Sequence, residues 1–440
     1  MTLILLFVFL QLYASLPVYA DLKVSAFQLS NGLRVILAPI NHIEATCVLL
    51  YHLTGVRDDP PQVRGGSFLY QNLMLGGTEH LDGYERLLFI KRSGSISNRL
   101  VNYDYSFFSQ IVPDSELNNA LWLESERIGS LRLNQDAINN EKSNVYTRNY
   151  RLQNSNINFY AMNWIHSKVF EGTIYETPLY GKLEEIKGFD PQEVEKLYTN
   201  FKNPSNIILV ITGKFDMTEI RRAISQHFAH LPATTSIPRK KYTAINPRTQ
   251  YTYLNVVNIN IQEPFVLYGI RGPSKLSYDH LYFDFLRYYL LDERISKLEK
   301  MLNHENNLDA TITYSFTDLY EANALVIRIS CKNRINLERA KITMNGLLDS
   351  LKKGKIDILS SNDIRDTKTL MEIDFLKQMM SLEKRSLFLA ESYHFSGDLG
   401  AEARQLSRIR TLSAMDISRI GRKYFDKKNR VNINVYPKND

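Results

Sequence analysis

Residues 190–212, DPQEVEKLYTNFKNPSNIILVIT, read as a capped helix, a turn and a fully apolar strand. Asp190 can take the first free N–H groups of the helix. Pro191 stands where a missing N–H costs nothing and its fixed φ already suits a helix. The run Ile207–Thr212 has no polar alternation, which suits a strand buried on both faces. The same succession returns at 413–436 as SAMDISRIGRKYFDKKNRVNINVY. Ser413-x-x-Asp416 starts a helix to Phe425 in the manner of a capping box, and Val431–Tyr436 is a strand. Phe201 and Phe425 lie 224 residues apart, and SELNNALWLESERIGSL (115–131) aligns with INLERAKITMNGLLDSL (335–351) at a similar offset of 220. A solenoid would repeat every ~20–50 residues. An offset this long means two duplicated α+β domains.

The rest of the chain fits that plan. Its 440 residues exceed what one core usually holds. In the first half, Asn31-Gly32 divides two β-prone runs within FQLSNGLRVILAPI (27–40) and predicts a hairpin. Strands are expected at 45–53, 96–102 and 105–112, and helices at 66–75, 84–93, 115–131 and 135–150, the last running further. Residues 231–250, LPATTSIPRKKYTAINPRTQ, hold three prolines and a basic cluster and form a linker. The second half predicts strands at 265–270, 324–331 and 431–436, with helices through Leu291, over 337–351 and over 413–425. The expected divisions are a signal peptide at 1–20, a first domain at 21–230, a linker at 231–254 and a second domain at 255–440.

Leu3–Leu16 is almost wholly apolar, and Val18-Tyr19-Ala20 supplies the small residues of a cleavage site. An exported protein is the expectation, with an uncleaved anchor as the rival. No internal stretch is long and apolar enough to span a membrane. The net charge of +7 is spread along the chain, with clusters at Arg239-Lys240-Lys241 and from Arg404 to Arg430. Neither cluster carries a nucleic-acid-binding pattern, so no nucleic-acid partner is expected. Cys47 and Cys331 sit in strand-like runs of different halves and read as buried thiols rather than a bridge.

Several segments resemble the pitrilysin/insulinase family of zinc peptidases, the inverted HxxEH class that includes the mitochondrial processing peptidase subunits. They are NGLRVILAP, GVRDDPP, LMLGGTEH, SGSISNRLVNYDYSFFSQIVP, LWLESERIGSL and the stretch from Thr177 to Asp216. Their order and spacing carry the resemblance. It implies two homologous metallopeptidase-like domains of the LuxS/processing-peptidase architecture, each a mostly antiparallel sheet packed against helices. Chains of that kind pair as a clamshell around unfolded peptides, often as one active and one inactive subunit.

In the family, two His at i and i+4 bind zinc and the Glu between them activates a bound water. In GGSFLYQNLMLGGT (65–78) those roles fall on Phe68, Gln71 and Asn72. Phe68 has no lone pair, the Gln71 amide cannot take a proton near neutral pH, and Asn72 offers only a weak neutral oxygen. The third ligand position, in NEKSNVYTRNYRLQNS, is Asn149. The Arg and Tyr that active members use in the second domain fall on Asn303 and Ala310, and the glycine-rich loop of the processing-peptidase partner subunit is absent from LLDERISKLEKML. No catalytic residue and no zinc are therefore expected. His227 and His230 read as helix-terminal histidines, and Glu79-His80 falls past the helix and lacks i,i+4 spacing.

What the resemblance leaves in place is the strand on which substrates pair, aligned with Asn98, Arg99, Leu100, Val101 and Asp104. An extended peptide needs only an open edge there. The leading expectation is a noncatalytic homologue in the bacterial periplasm. It would pair with an active zinc-bearing subunit, or with itself, and bind unfolded peptides. A stand-alone peptide-binding or structural protein and a metalloendopeptidase with atypical ligands remain alternatives.

Overall fold

The computed structural model describes residues 24–233, 241–354 and 359–438, so the expected signal at 1–20 lies outside the described residues. No helix among the described residues is long and apolar enough to cross a membrane. Strands β1 (Ser25–Gln28) and β2 (Arg34–Pro39) form the hairpin predicted at Asn31-Gly32, in the register Ser25↔Leu37 to Gln28↔Arg34. They are followed by β3 (Thr46–His52), α1 (Gly66–Leu73), α2 (Gly83–Arg92), β4 (Ile96–Val101) and β5 (Ser106–Val112). Next come α3 (Leu117–Gly129), α4 (Gln135–Ser155), α5 (Ile157–Val169), α6 (Pro191–Phe201), β6 (Ile207–Gly213) and α7 (Met217–Phe228). Single helical turns are left unlabelled. Asp190 accepts from the Gln192 N–H at 2.9 Å, as the Asp-Pro pair requires.

The second half runs β7 (Thr252–Asn258), β8 (Phe265–Gly272), α8 (Asp279–Leu291), β9 (Thr311–Thr317), β10 (Asn323–Ser330) and α9 (Arg334–Lys352). It ends with α10 (Ser361–Met380), α11 (Leu382–Ser396), α12 (Ala401–Arg410), α13 (Ala414–Tyr424) and β11 (Arg430–Pro437). The Ser413 side chain caps α13 through the Asp416 N–H at 3.2 Å. The linker expected at 231–254 ends slightly earlier, because β7 begins at Thr252. Its outward residues, Tyr253, Asn255 and Val257, are not consistently polar, so the strand's alternation is weak in the sequence.

The strand orders are β1-β2-β6-β3-β5-β4 and β7-β11-β8-β10-β9. Without β1 the two orders match strand for strand, including the single parallel contact, β2 with β6 and β7 with β11. The duplication read from the 224-residue offset is therefore real in three dimensions.

Each sheet is covered on one face by helices of its own half and on the other by a helix of the opposite half. α5 lies on the second sheet, where Ala161, Ile165 and Val169 pack with Leu267, Val326, Ile433 and Val435. α11 lies on the first, where Leu382, Leu389 and Ala390 pack with Ile36, Cys47, Leu49 and Val210. Burying each such side chain contributes about 1.5–3 kcal/mol, so the exchange ties the halves firmly together. Cys47 and Cys331 are both buried and free.

Candidate functional site

Helix α1 is positioned at both ends. Its N-terminus is held by Asp59, a buried carboxylate that accepts from the Gly65 N–H at 2.8 Å and from the backbone and hydroxyl of Ser67. Burial pushes the Asp59 carboxyl up to about 7, against the opposing pull of these donors. Gly65 enters the helix at φ 98°, where a side chain would also meet the Gly181 nitrogen at 2.5 Å. Only glycine meets both demands there. At the C-terminus, the Arg86 and Arg127 Nη1 groups donate to the Met74 carbonyl at 2.7 and 2.8 Å. Cations at that end suit the helix dipole. Arg127 is itself held by the buried Glu124 at 2.7 Å, and Glu124 is raised by burial to about 7. The helix aligned above with the family's zinc helix is thus tightly built at both ends.

The side chains on that frame are turned inward to protein partners. Phe68 packs against two apolar clusters, one containing Val63 and Leu69 and the other Ala161 and Ile165. Gln71 is buried, and its amide donates to the carbonyls of Leu100 and Phe107. Asn72 Nδ2 donates to Glu141 Oε1 on α4 at 2.9 Å. Asn149, also on α4 and buried, donates to the Val145 carbonyl one turn back at 2.8 Å. At each of the four positions the donor or apolar group is engaged by the protein itself. Phenyl and carboxamide groups are also poor partners for zinc, which takes imidazole, thiolate or carboxylate. These residues do not fit the ion. Among the described residues no three His, Cys, Asp or Glu side chains form a group that could hold a metal.

The Arg and Tyr positions tell the same story. Asn303 and Ala310 bond each other, Nδ2 to the Ala310 carbonyl at 2.8 Å and the Ala310 N–H to Oδ1 at 2.7 Å. The pair closes a turn that carries Asn307 and Asp309 at φ 50°. His227 bonds Asn118 Oδ1 at 2.9 Å in the last turn of α7, and His80 pairs with Glu126 at 2.7 Å on the surface.

Strand β4 is the outer strand of its sheet, and Asn98, Arg99 and Leu100 are exposed while Val101 is buried. The Asn102 N–H donates to the Tyr105 carbonyl, which fixes the alternation of the antiparallel ladder. Ser97, Arg99 and Val101 therefore turn their backbone groups outward. One of these groups is already taken, since Asn98 Oδ1 accepts from the Arg99 N–H at 2.8 Å. The Asn98 amide in turn donates to Glu383 on α11 at 3.0 Å. Asp104 is not part of this open edge. It is buried beyond the strand end, bonded by Arg57 Nη1 at 3.3 Å, the Tyr175 hydroxyl at 2.7 Å and the Tyr320 N–H at 2.7 Å. Burial raises its carboxyl to about 6. Arg57 also holds Glu321 at 3.0 Å, so this network joins the two halves. The motif GVRDDPP, read above only as a family mark, supplies Arg57, and NYDYS supplies Asp104.

Known proteins share this two-domain fold. Residues 188–371 match a family model described as the peptidase M16 inactive domain. That span begins after Asn149, so it bears on the linker and the second half and not on α1. The zinc protease PqqE of Helicobacter pylori is 22% identical over 92% of this chain and 90% of its own length. The crystal structure of a protease from Helicobacter pylori superimposes with a TM-score of 0.85 at 20% identity, covering 94% of this chain and all of that one. The periplasmic protease PqqL of Escherichia coli superimposes with a TM-score of 0.74 at 15% identity; this chain spans 48% of its length. The chain is a homologue of M16 peptidases, with their two-domain fold.

Proposed function

We propose that this peptidase homologue is a noncatalytic subunit that pairs with an active zinc-bearing homologue and helps to enclose unfolded peptides. The observation that carries the reading is the state of the four positions on α1 and α4. Phe68, Gln71, Asn72 and Asn149 are all replaced in chemistry and all engaged by the protein. A single altered residue can leave a weak site, whereas four altered together leave nothing to bind zinc or activate water. The retained helix frame, anchored by Asp59, Arg86 and Arg127, supports a role that needs the shape and not the reaction.

Export to a bacterial periplasm belongs to the same reading. It rests on the apolar N-terminal stretch and on the periplasmic description of PqqL. The open β4 edge favours a second reading, in which Asn98–Val101 bind an extended peptide without any active partner.

The two readings separate in one experiment. The chain is co-expressed with an intact HxxEH homologue from the same source, and complex formation and peptide cleavage are measured. Co-purification with a change in the partner's activity is expected. If the chain stays apart and leaves that activity unchanged, the subunit reading fails. Binding of a denatured peptide by the chain alone would then support the second.

A further inference from the structure

Strand β4 and helix α4 are joined through the end of α1. Gln71 on α1 donates to the Leu100 carbonyl of β4, and its neighbour Asn72 donates to Glu141 of α4. Two turns further along α4, on the same face as Glu141, stands Arg148. On β4 the residue beside Leu100 is Arg99. It lies close enough to Glu141, Arg148 and the buried Arg86 to feel the charge of each. Partial burial holds the Arg99 guanidinium below its ordinary range; Glu141 opposes this and Arg148 adds to it. The oxygens of Glu141 already accept from Asn72 at 2.9 Å and from Asn144 at 3.4 Å.

Elsewhere in the molecule, arginines that meet a like charge are tied to acceptors. Arg86 donates to the Met74 carbonyl, and the neighbours Arg248 and Arg271 donate to the carbonyls of Lys168 and Val169. Arg99 and Arg148 differ. Among the described residues neither guanidinium has a hydrogen-bond or ion-pair partner, and both residues are exposed. Two such groups offer many N–H donors and no acceptor, and their planar forks match a carboxylate.

Their placement says where that carboxylate comes from. An extended segment pairing with the outer side of β4 sets one of its residues directly opposite Arg99. The two side chains then share a face, with Cβ atoms ~4.5–5.5 Å apart. That face is the one on which α4 stands, as Glu141 and Arg148 beside Arg99 show. An acidic residue there comes within reach of both guanidiniums, whereas Lys or Arg adds a third like charge. On the other face Asn98 donates to Glu383, so an acidic residue opposite Asn98 would meet a carboxylate.

We propose that Arg99 and Arg148 read an acidic side chain, so that the extended segments taken up along β4 are those carrying Asp or Glu. This rests on the reading of β4 as a peptide-pairing edge and adds the class of peptide. The net charge of +7 also draws acidic segments toward the chain.

The test is fluorescence anisotropy of the purified chain with unfolded, otherwise neutral peptides, blocked at both ends and differing only in a central Glu, Gln or Lys. Blocked ends leave the side chain as the peptide's sole carboxylate. The Glu peptide is expected to bind about tenfold more tightly than the Gln peptide, and the Lys peptide more weakly than either. The margin should shrink as salt is added. Arg99→Gln combined with Arg148→Gln, with an unchanged circular dichroism spectrum, should bring the Glu and Gln peptides within about twofold of each other. Arg99→Lys combined with Arg148→Lys should keep a smaller margin of the same sign. Ser97→Pro removes an outward N–H of the edge and should weaken all three peptides alike. Three peptides bound equally, each weakened by Ser97→Pro, would leave the edge standing and overturn the acidic selection. A Glu margin that survives the double Gln variant overturns the assignment to these two arginines. No binding of any peptide removes the edge reading and the proposal with it.

Discussion

The helix pair α1–α4 in the first half and the pair α8–α10 in the second occupy matching places in the duplicated fold but carry opposite chemistry. On α1 and α4 the positions that would build a metal centre are Phe68, Gln71, Asn72 and Asn149, neutral and turned to neighbours. Around α8 and α10 the groups are charged and paired: Asp284 with Arg287 within α8 at 2.6 Å, and Asp374 of α10 with Arg294, just past α8, at 2.6 Å and with the Tyr288 hydroxyl at 3.0 Å. Neither arrangement leaves an open coordination sphere. The first half presents neutral side chains on its helix pair; in the second, an ion pair ties α10 to the segment after α8. A duplicated scaffold can therefore preserve its packing while the chemistry of each copy goes its own way.

The comparison is held in place by contacts that cross between the halves, and these can be broken in order of expected effect. Arg57→Ala removes a buried guanidinium between Asp104 and Glu321 and leaves two carboxylates without their cation. A loss of about 3–5 kcal/mol is expected in denaturant unfolding. A loss below about 1 kcal/mol would mean that the network does not join the halves. Ile165→Ala on α5 and Leu389→Ala on α11 each open a cavity against the opposite sheet, where both residues are fully buried. Each should cost about 2–5 kcal/mol with one shared unfolding transition. If either variant splits the transition in two, the exchange of helices is not what unites the domains.

Rising pH should act through Asp59. Its folded carboxyl is raised to about 7 by burial, while an unfolded aspartate titrates near ~4. The folded state therefore holds a proton that the unfolded chain has released. The stability from this group is fully present below about pH 4 and falls as pH rises through about 7. Asp59→Asn should flatten the stability profile across that window, a change of about 4 kcal/mol for about three pKa units. A profile that keeps its slope in the variant would place the titration elsewhere. The smallest effect on stability is expected from Asn98→Ala, below about 1 kcal/mol because the site is exposed. The same change frees the Arg99 N–H, so it should tighten binding of a denatured peptide if β4 is a pairing edge. Weaker or unchanged binding, read by fluorescence anisotropy, would argue against β4.

Much of this arrangement is legible in the residues. The capped helix and apolar strand at 190–212 and their echo at 413–436 announce the duplication, because capping and burial are local rules. The replacement of the family's ligand types at Phe68, Gln71, Asn72 and Asn149 is legible too, since residue type at fixed helical spacing is read directly from the sequence. The helix exchange is not. α5 (INFYAMNWIHSKV) and α11 (LEKRSLFLAESYHFS) show where apolar surface lies but not which sheet it meets, a question settled by contacts over long sequence separation. The role of Asp104 was hidden for the same reason, because its partners Tyr320 and Arg57 come from distant segments. β7 looked like the end of a linker because half of its residues face outward.

Zinc content of the purified chain tests the central claim most directly. After equilibration with excess zinc and removal of loosely bound metal, elemental measurement should find far less than stoichiometric zinc, with no chelator-sensitive cleavage of a denatured peptide. One zinc per chain together with such cleavage would contradict the account and return the helix at Phe68–Asn72 to an active site.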